Sequence, residues 1–159
     1  MTFPENIFTL KEVQAAKNLL DSGYQHKLKV LGSPEFTKKV THAIELIKTA
    51  GYHEFLQTYI RQIIEIDGLT QLRETEVAIW ANKFAVHDPI DAASLFIQKA
   101  FTMKEYLEGE QYYGGNAERR STAKRIEFLE TLKNKTSDTQ VKDECTRLLD
   151  MWKDSSVLY

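Results

Sequence analysis

Residues 87 to 91 have the types and spacing of a metal-binding hydrolytic site. His87 and Asp91 are four residues apart, so on a continuous helix both side chains project from one face. Zinc accepts both imidazole nitrogen and carboxylate oxygen. Asp88 lies between them, at the position of the general base in a His-acid-x-x-His motif. A third ligand has to come from elsewhere, and Glu118 lies about one helix later in the chain.

Four short segments surround these residues in a definite order. They are Trp80-Ala81, Val86-His87-Asp88, Tyr113-Gly114-Gly115 and Ala117-Glu118. This order resembles zincin-like bacterial metallopeptidase-like proteins, in which a Trp-Ala segment leads into His-Asp-x-x-His. In that family a Tyr-x-Gly-Gly loop and an Ala-Glu pair at the next helix follow. The likeness spans residues 27–133.

The resemblance implies a zinc site in which His87 and Glu118 are ligands and Asp88 is the base. The chain departs from the family pattern at Asp91, which replaces the second histidine, and at Pro89, which falls inside the motif. With Asp91 as a substitute ligand, the implied metal set is His87, Asp91 and Glu118. The implied reaction is peptide-bond hydrolysis, in which Asp88 deprotonates a water polarised by the metal.

The same residues also form a typical helix start. Asp88 is a good N-cap, and Pro89 suits the first helical position because it lacks an N–H. A helix that begins there leaves His87 outside it, and the same-face geometry is lost. Inside a helix, Pro89 would cost about 3 kcal/mol. Asp91 would then favour the positive end of the helix.

Other candidate groups have simpler interpretations. His26, His42 and His53 have no ligand spacing. Cys145 falls on an apolar helical stripe with no histidine placed by sequence to activate it, which indicates packing. A basic group can contact phosphate, but its interleaved glutamates favour an ion-paired helix face; it comprises Arg119, Arg120, Lys124 and Arg125. The Tyr112–Gly115 segment is either a binding loop or an ordinary connection.

Composition excludes several functional classes. The 159 residues carry 21 basic and 23 acidic side chains, a net charge of −2, which is not the footprint of a nucleic-acid-binding protein. No apolar run approaches the roughly 18 residues of a membrane span. The single cysteine forms no intrachain disulfide. With no signal-peptide pattern at the N-terminus, we expect a soluble, cytoplasmic protein.

The elements that must position these residues follow from periodicity and capping signals. The pattern predicts a helix from Thr9 to Gly23, a strand at 27–30 and a helix from Ser33-Pro34 to Gly51. A short helix at 52–59 and strands at 60–66 and 76–80 follow, with Asp67-Gly68 as a turn.

Helical patterning resumes from Ala81 to Leu107. Two further helices are predicted, capped by Asn116 and Asp138. Together these elements predict one mostly helical α+β domain over residues 1–159, with a small sheet and, by resemblance, a zincin-like fold. The alternative is a non-enzymatic structural or protein-interaction domain that self-associates through an aromatic surface. Such self-association would give a homo-oligomer.

Overall fold

The computed structural model describes residues 28–157, with side chains to residue 154. The helix predicted between Thr9 and Gly23 lies outside these residues. Helices account for well over half of the described residues, and none of these helices is long and apolar enough to cross a membrane. In chain order the elements are β1 (Lys29–Leu31), α1 (Pro34–Ala50), α2 (His53–Tyr59), β2 (Gln62–Glu65), β3 (Gln71–Arg73), a 3₁₀ turn (Glu74–Glu76), β4 (Ala78–Ala81), α3 (Pro89–Leu107), α4 (Gly115–Lys135) and α5 (Thr139–Val157).

The four strands form one mixed sheet in the order β1-β2-β4-β3. The first three run parallel, with Ile63 opposite both Val30 and Ile79, while β3 pairs antiparallel to β4. The α+β class and the small sheet predicted from sequence are therefore confirmed. Because parallel strands point the same way, Leu31, Glu65 and Ala81 end at the same edge of the sheet.

The predicted capping of α1 is confirmed at both ends. The Ser33 hydroxyl accepts the backbone N–H of Phe36 at 3.2 Å, with Pro34 in the first turn. Gly51 closes the helix with φ of 81°, a left-handed conformation that glycine adopts without a Cβ clash. Asp138 likewise accepts the N–H of Gln140 at 2.8 Å at the start of α5.

The core lies between the helices and one face of the sheet. Ile63 and Ile79 are fully buried, and α3 packs against α1, α2 and α4. Helix α5 packs mainly on α4, through a stripe that includes Cys145 and Leu148. The predicted role of Cys145 as a packing residue is thereby confirmed.

The helix predicted from Ala81 is wrong at its start. Ala81 is the last residue of β4, a series of turns follows, and α3 begins only at Pro89. The reason is local: the Asp88 side chain and the proline define a helix start that the apolar periodicity did not take into account.

Three smaller differences concern loops and short strands. Asn116 does not cap α4, because the helix begins at Gly115 and Gly114 takes the N-cap position with φ of 89°. Strand β4 begins at Ala78 rather than at residue 76, after a 3₁₀ turn that ends with Val77 in the left-handed region at φ of 54°. The three-residue strand β3 was not predicted.

Candidate functional site

His87 lies in the loop between β4 and α3, outside the helix that carries Asp91. Its imidazole is exposed, and Nδ1 is 3.3 Å from the ammonium nitrogen of Lys39 on α1. Of the two geometries that the sequence left open, the structure has the one in which Pro89 begins a new helix. The shared helical face that would have aligned His87 and Asp91 is therefore absent.

The Asp88 carboxylate caps α3. Its Oδ1 accepts the backbone N–H of Ile90 at 2.9 Å and of Asp91 at 3.4 Å. Its Oδ2 is 3.7 Å from the guanidinium of Arg147. The two N–H contacts satisfy backbone donors that would otherwise lack partners at the helix terminus. The position of the Asp88 carboxylate is therefore explained by its stabilisation of α3.

Asp91 forms an ion pair with a buried arginine. Its Oδ1 is 2.7 Å from Nη2 of Arg125, whose side chain is only 6% exposed. The same guanidinium donates from Nε to the Ser94 hydroxyl at 2.8 Å and from Nη1 to the side-chain oxygen Oε1 of Gln98 at 2.7 Å. The Trp152 ring lies over the guanidinium at 4.3 Å. This cluster joins α3, α4 and α5.

Glu118 is exposed on the first turn of α4, and its charged neighbour is Lys99. Burial lowers the pKa of Lys99, and Arg125 lowers it further, whereas Glu74 and Glu118 oppose the shift. Burial also raises the pKa of Glu74. The predicted third ligand thus belongs to a mixed cluster of acidic and basic groups between α3 and α4.

The predicted zinc ligands have different neighbours. His87 contacts α1 through Lys39, whereas Asp91 contacts α4 through Arg125. Within residues 28–154, no group of three or more His, Cys, Asp or Glu side chains is arranged to hold a metal ion. The zinc site stays a prediction from the family resemblance.

Three basic residues of α4 form ion pairs, but only Lys124 pairs with an interleaved glutamate of its own helix as predicted, since Arg120 and Arg125 pair with acidic residues of α3. Arg120 pairs with Glu105 at 2.6 Å, and Lys124 pairs with Glu127 at 2.8 Å. With Arg125 bound to Asp91, three of the four candidate phosphate contacts have acidic partners.

A different surface is formed where the parallel strands end. We define the carboxyl-edge surface as residues 31–39, 65–70 and 82–87. It contains a cleft of about 250 Å³, whose lining includes Ser33, Lys39, Glu65, Lys83, Phe84 and His87. Loops at the carboxyl ends of parallel strands are a common location for binding sites in α/β sheets.

Exposed apolar side chains are concentrated on this surface. Phe84 is 77% exposed, Leu69 is 83% exposed and Leu31 is 49% exposed. Within the described part of the chain, Met151 is the one further large hydrophobic side chain with comparable exposure, at 47%. Neighbouring strands lie about 5 Å apart, so loops that follow β1, β2 and β4 lie close to one another.

Asn82 connects two of these loops. Its Nδ2 donates to the carbonyl oxygen of Gly68 at 3.2 Å, and its backbone N–H donates to the Thr70 hydroxyl at 3.2 Å. Its Oδ1 accepts the N–H groups of Phe84 and Ala85, each at 3.0 Å. The loops that carry Leu69 and Phe84 therefore have a defined relative position.

The turn after β1 is fixed in the same way. The Glu65 carboxylate, at the end of β2, accepts the backbone N–H of Ser33 at 2.8 Å. A Cβ on Gly32 would lie 2.7 Å from the Phe36 ring and 2.8 Å from Cβ of Glu65. This close approach requires glycine and brings the start of α1 next to β2.

Sequence reasoning identified one residue of this surface, His87, and missed the rest. Phe84 lay inside the segment assigned to a helix, where an apolar residue is unremarkable. A signal for this loop was available in the sequence. The predicted strand is followed by Asn82, then by a short loop with apolar residues and then by Asp88-Pro89. Asn82 and Asp88 both favour turns and helix caps over helix interiors.

Comparison with known proteins adds no assignment, since the chain matches no protein-family model, no curated protein and no solved structure. The structure itself defines a mostly helical α+β protein with a small mixed sheet and an apolar, loop-built surface at one sheet edge.

Proposed function

We propose that this chain is a non-enzymatic protein-interaction domain that binds its partner through the carboxyl-edge surface. The observation that carries the proposal is the exposure of Leu31, Leu69 and Phe84 at one edge of the sheet. Large apolar side chains exposed on one surface with polar residues around them are typical of protein-interaction sites. A phenylalanine exposed next to a cleft buries a large apolar area when a partner covers it, and aromatic side chains contribute strongly to interface energetics.

The geometry of the loops supports this proposal. Two hydrogen bonds of Asn82 reach the Leu69 loop, and two more fix its own loop, which carries Phe84. The Glu65 carboxylate holds the turn that follows Leu31. A surface that is ordered before binding loses less conformational entropy when the partner arrives, so the same contacts give a higher affinity.

The acidic residues predicted for catalysis have structural partners, which also favours a binding role. Asp88 is engaged by the first turn of α3, and Asp91 is engaged by Arg125. A general base needs a carboxylate within reach of a substrate proton. Helix capping explains the position of the Asp88 carboxylate, and ion pairing explains that of Asp91, so neither position requires a catalytic role.

A photo-cross-linking experiment tests the proposal. The photoreactive residue p-benzoylphenylalanine replaces Phe84 in one variant and Met151 in the matched control, in cells that naturally produce the protein. We expect a discrete cross-linked product at position 84, because this side chain lies in the interface, and none at position 151. Irradiation that gives no product at position 84 beyond that at position 151 would contradict an interaction function for this surface.

The metallopeptidase-like activity that the resemblance implies is a second proposal. The observation in its favour is the exposed imidazole of His87 beside the cleft. As placed, however, the side chains do not form a donor set for zinc, because the Asp91 carboxylate is paired with Arg125. Zinc binding would require that ion pair to break.

Calorimetric titration of untagged protein with zinc tests this second proposal. If it holds, the chain binds one equivalent of zinc, His87→Ala abolishes binding, and Asp91→His strengthens it by restoring the ligand of the family pattern. His42→Ala is the matched control, since His42 is an exposed histidine of α1, and should bind like the parent. Negligible affinity in the parent and in Asp91→His would end the zinc hypothesis.

A further inference from the structure

We infer that the partner of the carboxyl-edge surface is a second copy of this chain, an inference that rests on the interaction function proposed above. The surface carries both kinds of group that a self-complementary interface needs. Its apolar side chains are Leu31, Leu69 and Phe84. The surface also carries charged side chains of both signs. The balance of these charges indicates which class of partner fits the surface.

Positive and negative charges are balanced on this surface. Lys39, Lys83 and Glu35 line the cleft, and Asp67 lies in the adjoining loop after β2. Within the described part of the chain, none of these four forms an ion pair with another residue. Lys39 contacts the His87 ring nitrogen, and Lys83 lies 5.3 Å from the Phe84 ring centroid.

The remaining acidic group of the cleft, Glu65, is already engaged. Its Oε1 accepts the backbone N–H of Ser33 at 2.8 Å, so part of its hydrogen-bonding capacity is used within the chain. Glu65 keeps its charge, and Lys38 is a further exposed lysine of α1, so the carboxyl-edge surface carries three lysines and three carboxylates that can form ion pairs with a partner. A nucleic acid or a strongly charged protein would favour a surface of one sign, which this is not.

A two-fold dimer brings the same patch of both copies together. If one residue of the first copy contacts a second residue of the other copy, the same contact occurs with the copies exchanged. Such an interface is stable only if the patch complements itself. Equal numbers of lysines and carboxylates allow each lysine of one copy to face a carboxylate of the other, whereas a patch of one sign would repel itself. The net charge of the whole chain, −2, adds little repulsion between copies.

Sedimentation of the purified chain over about a hundredfold range of concentration tests self-association, since the dimer fraction of a reversible dimer rises with concentration. We expect the average mass to rise towards that of two chains. Phe84→Ser and Leu69→Ser should each shift the dimer to the monomer, whereas Met151→Ser, the matched exposed control, should not. A parent chain that stays monomeric at every concentration would overturn the inference.

Charge exchange separates a specific dimer from non-specific association. One variant carries Lys39→Glu and Lys83→Glu, and the other carries Glu35→Lys and Asp67→Lys. Each variant alone should be monomeric because charges of one sign then dominate its patch. An equimolar mixture should recover dimers that contain one chain of each kind, and a mixture no more associated than its components would contradict the inference.

The cross-linking experiment at position 84 keeps the two proposals distinguishable. A product made of two copies of this chain supports both. A product that contains a different protein refutes the second-copy inference and leaves the interaction function intact. The lack of any specific product at that position contradicts both.

Discussion

Asp88 and Asp91 are three residues apart and have different physical roles. The Asp88 carboxylate accepts backbone N–H groups at the start of α3, where the helix dipole also favours a negative charge. The Asp91 carboxylate compensates the charge of Arg125, which is almost fully buried. A buried guanidinium without an acidic partner is strongly destabilising, so this ion pair and its hydrogen bonds are needed for helix packing.

The fold changes the ionisation of the Cys145 thiol. Burial, with a smaller contribution from the negative charge of Glu144, raises the pKa of this thiol from 9.0 to about 11. Because the folded chain holds the thiol neutral while the unfolded chain ionises first, the free energy of unfolding should fall as the pH rises from about 9 to 11.

The pKa shift also predicts slow chemical labelling of Cys145. At pH 8 a shift of about two units leaves the folded chain with a thiolate fraction roughly a hundredfold smaller than the unfolded chain. Cys145 should therefore react with a disulfide reagent about a hundredfold more slowly, or slower still, in the native protein than in protein unfolded in urea. Since the chain has a single cysteine, the signal belongs to this residue. Equal rates in the two states would show that the thiol is accessible.

The start of α3 shows how one element determines the geometry of a candidate site. Asp88 and Pro89 together fix the first helical turn, so the preceding residues remain in a loop. That loop carries Phe84 and His87 onto the carboxyl-edge surface. A helix that had begun at Ala81 would have placed both residues on the helix and removed the loop.

Removal of the Asp88 cap should therefore weaken α3. We expect Asp88→Ala to lower the free energy of unfolding by about 1 kcal/mol, because two backbone N–H groups lose their acceptor. Asp88→Ser should restore most of the loss, since serine also caps helices. Asp143→Ala on the exposed face of α5 is the control, and urea denaturation measures all three. If the serine variant were as unstable as the alanine variant, the carboxylate would have another role.

At the scale of the whole molecule, the order of the strands determines the carboxyl-edge surface. Strands β1, β2 and β4 are neighbours with the same direction, although β3 lies between β2 and β4 in the chain. This arrangement collects loops from distant parts of the sequence at one edge. The apolar side chains exposed there come from three of those loops or strand ends.

Gly32 tests this arrangement because it lies at the contact between two strands and a helix. Gly32→Ala would place a Cβ within 2.7–2.8 Å of Phe36 and Glu65. We expect a loss of stability of about 1–3 kcal/mol, typical of an overpacked site. Gly115→Ala is the matched control, because a Cβ there meets nothing within 4 Å, and its stability should be unchanged or higher. Equal thermal midpoints for both variants would show that the β1–α1 turn has room to move.

Most helices and their caps were predictable from the sequence. The signals for α1 and α5 lie within a few residues of each helix end, as at Ser33, Gly51 and Asp138, and act through local hydrogen bonds. Local signals failed where two of them conflicted. Apolar periodicity extended the helix before Pro89, and the competing proline signal gave the correct start.

The tertiary structure alone decided which residues share a site. His87, Asp91 and Glu118 have suitable chemistry for zinc, but their partners Lys39, Arg125 and Lys99 lie on different elements, and sequence spacing contains no information on such contacts. The pairing of β3 and the parallel register of β2 and β4 likewise depend on residues far apart in the chain. Residue types and short-range spacing determine helices and turns because those structures form from neighbouring backbone groups. The carboxyl-edge surface exists because the sheet brings distant loops together, which is a property of the whole fold.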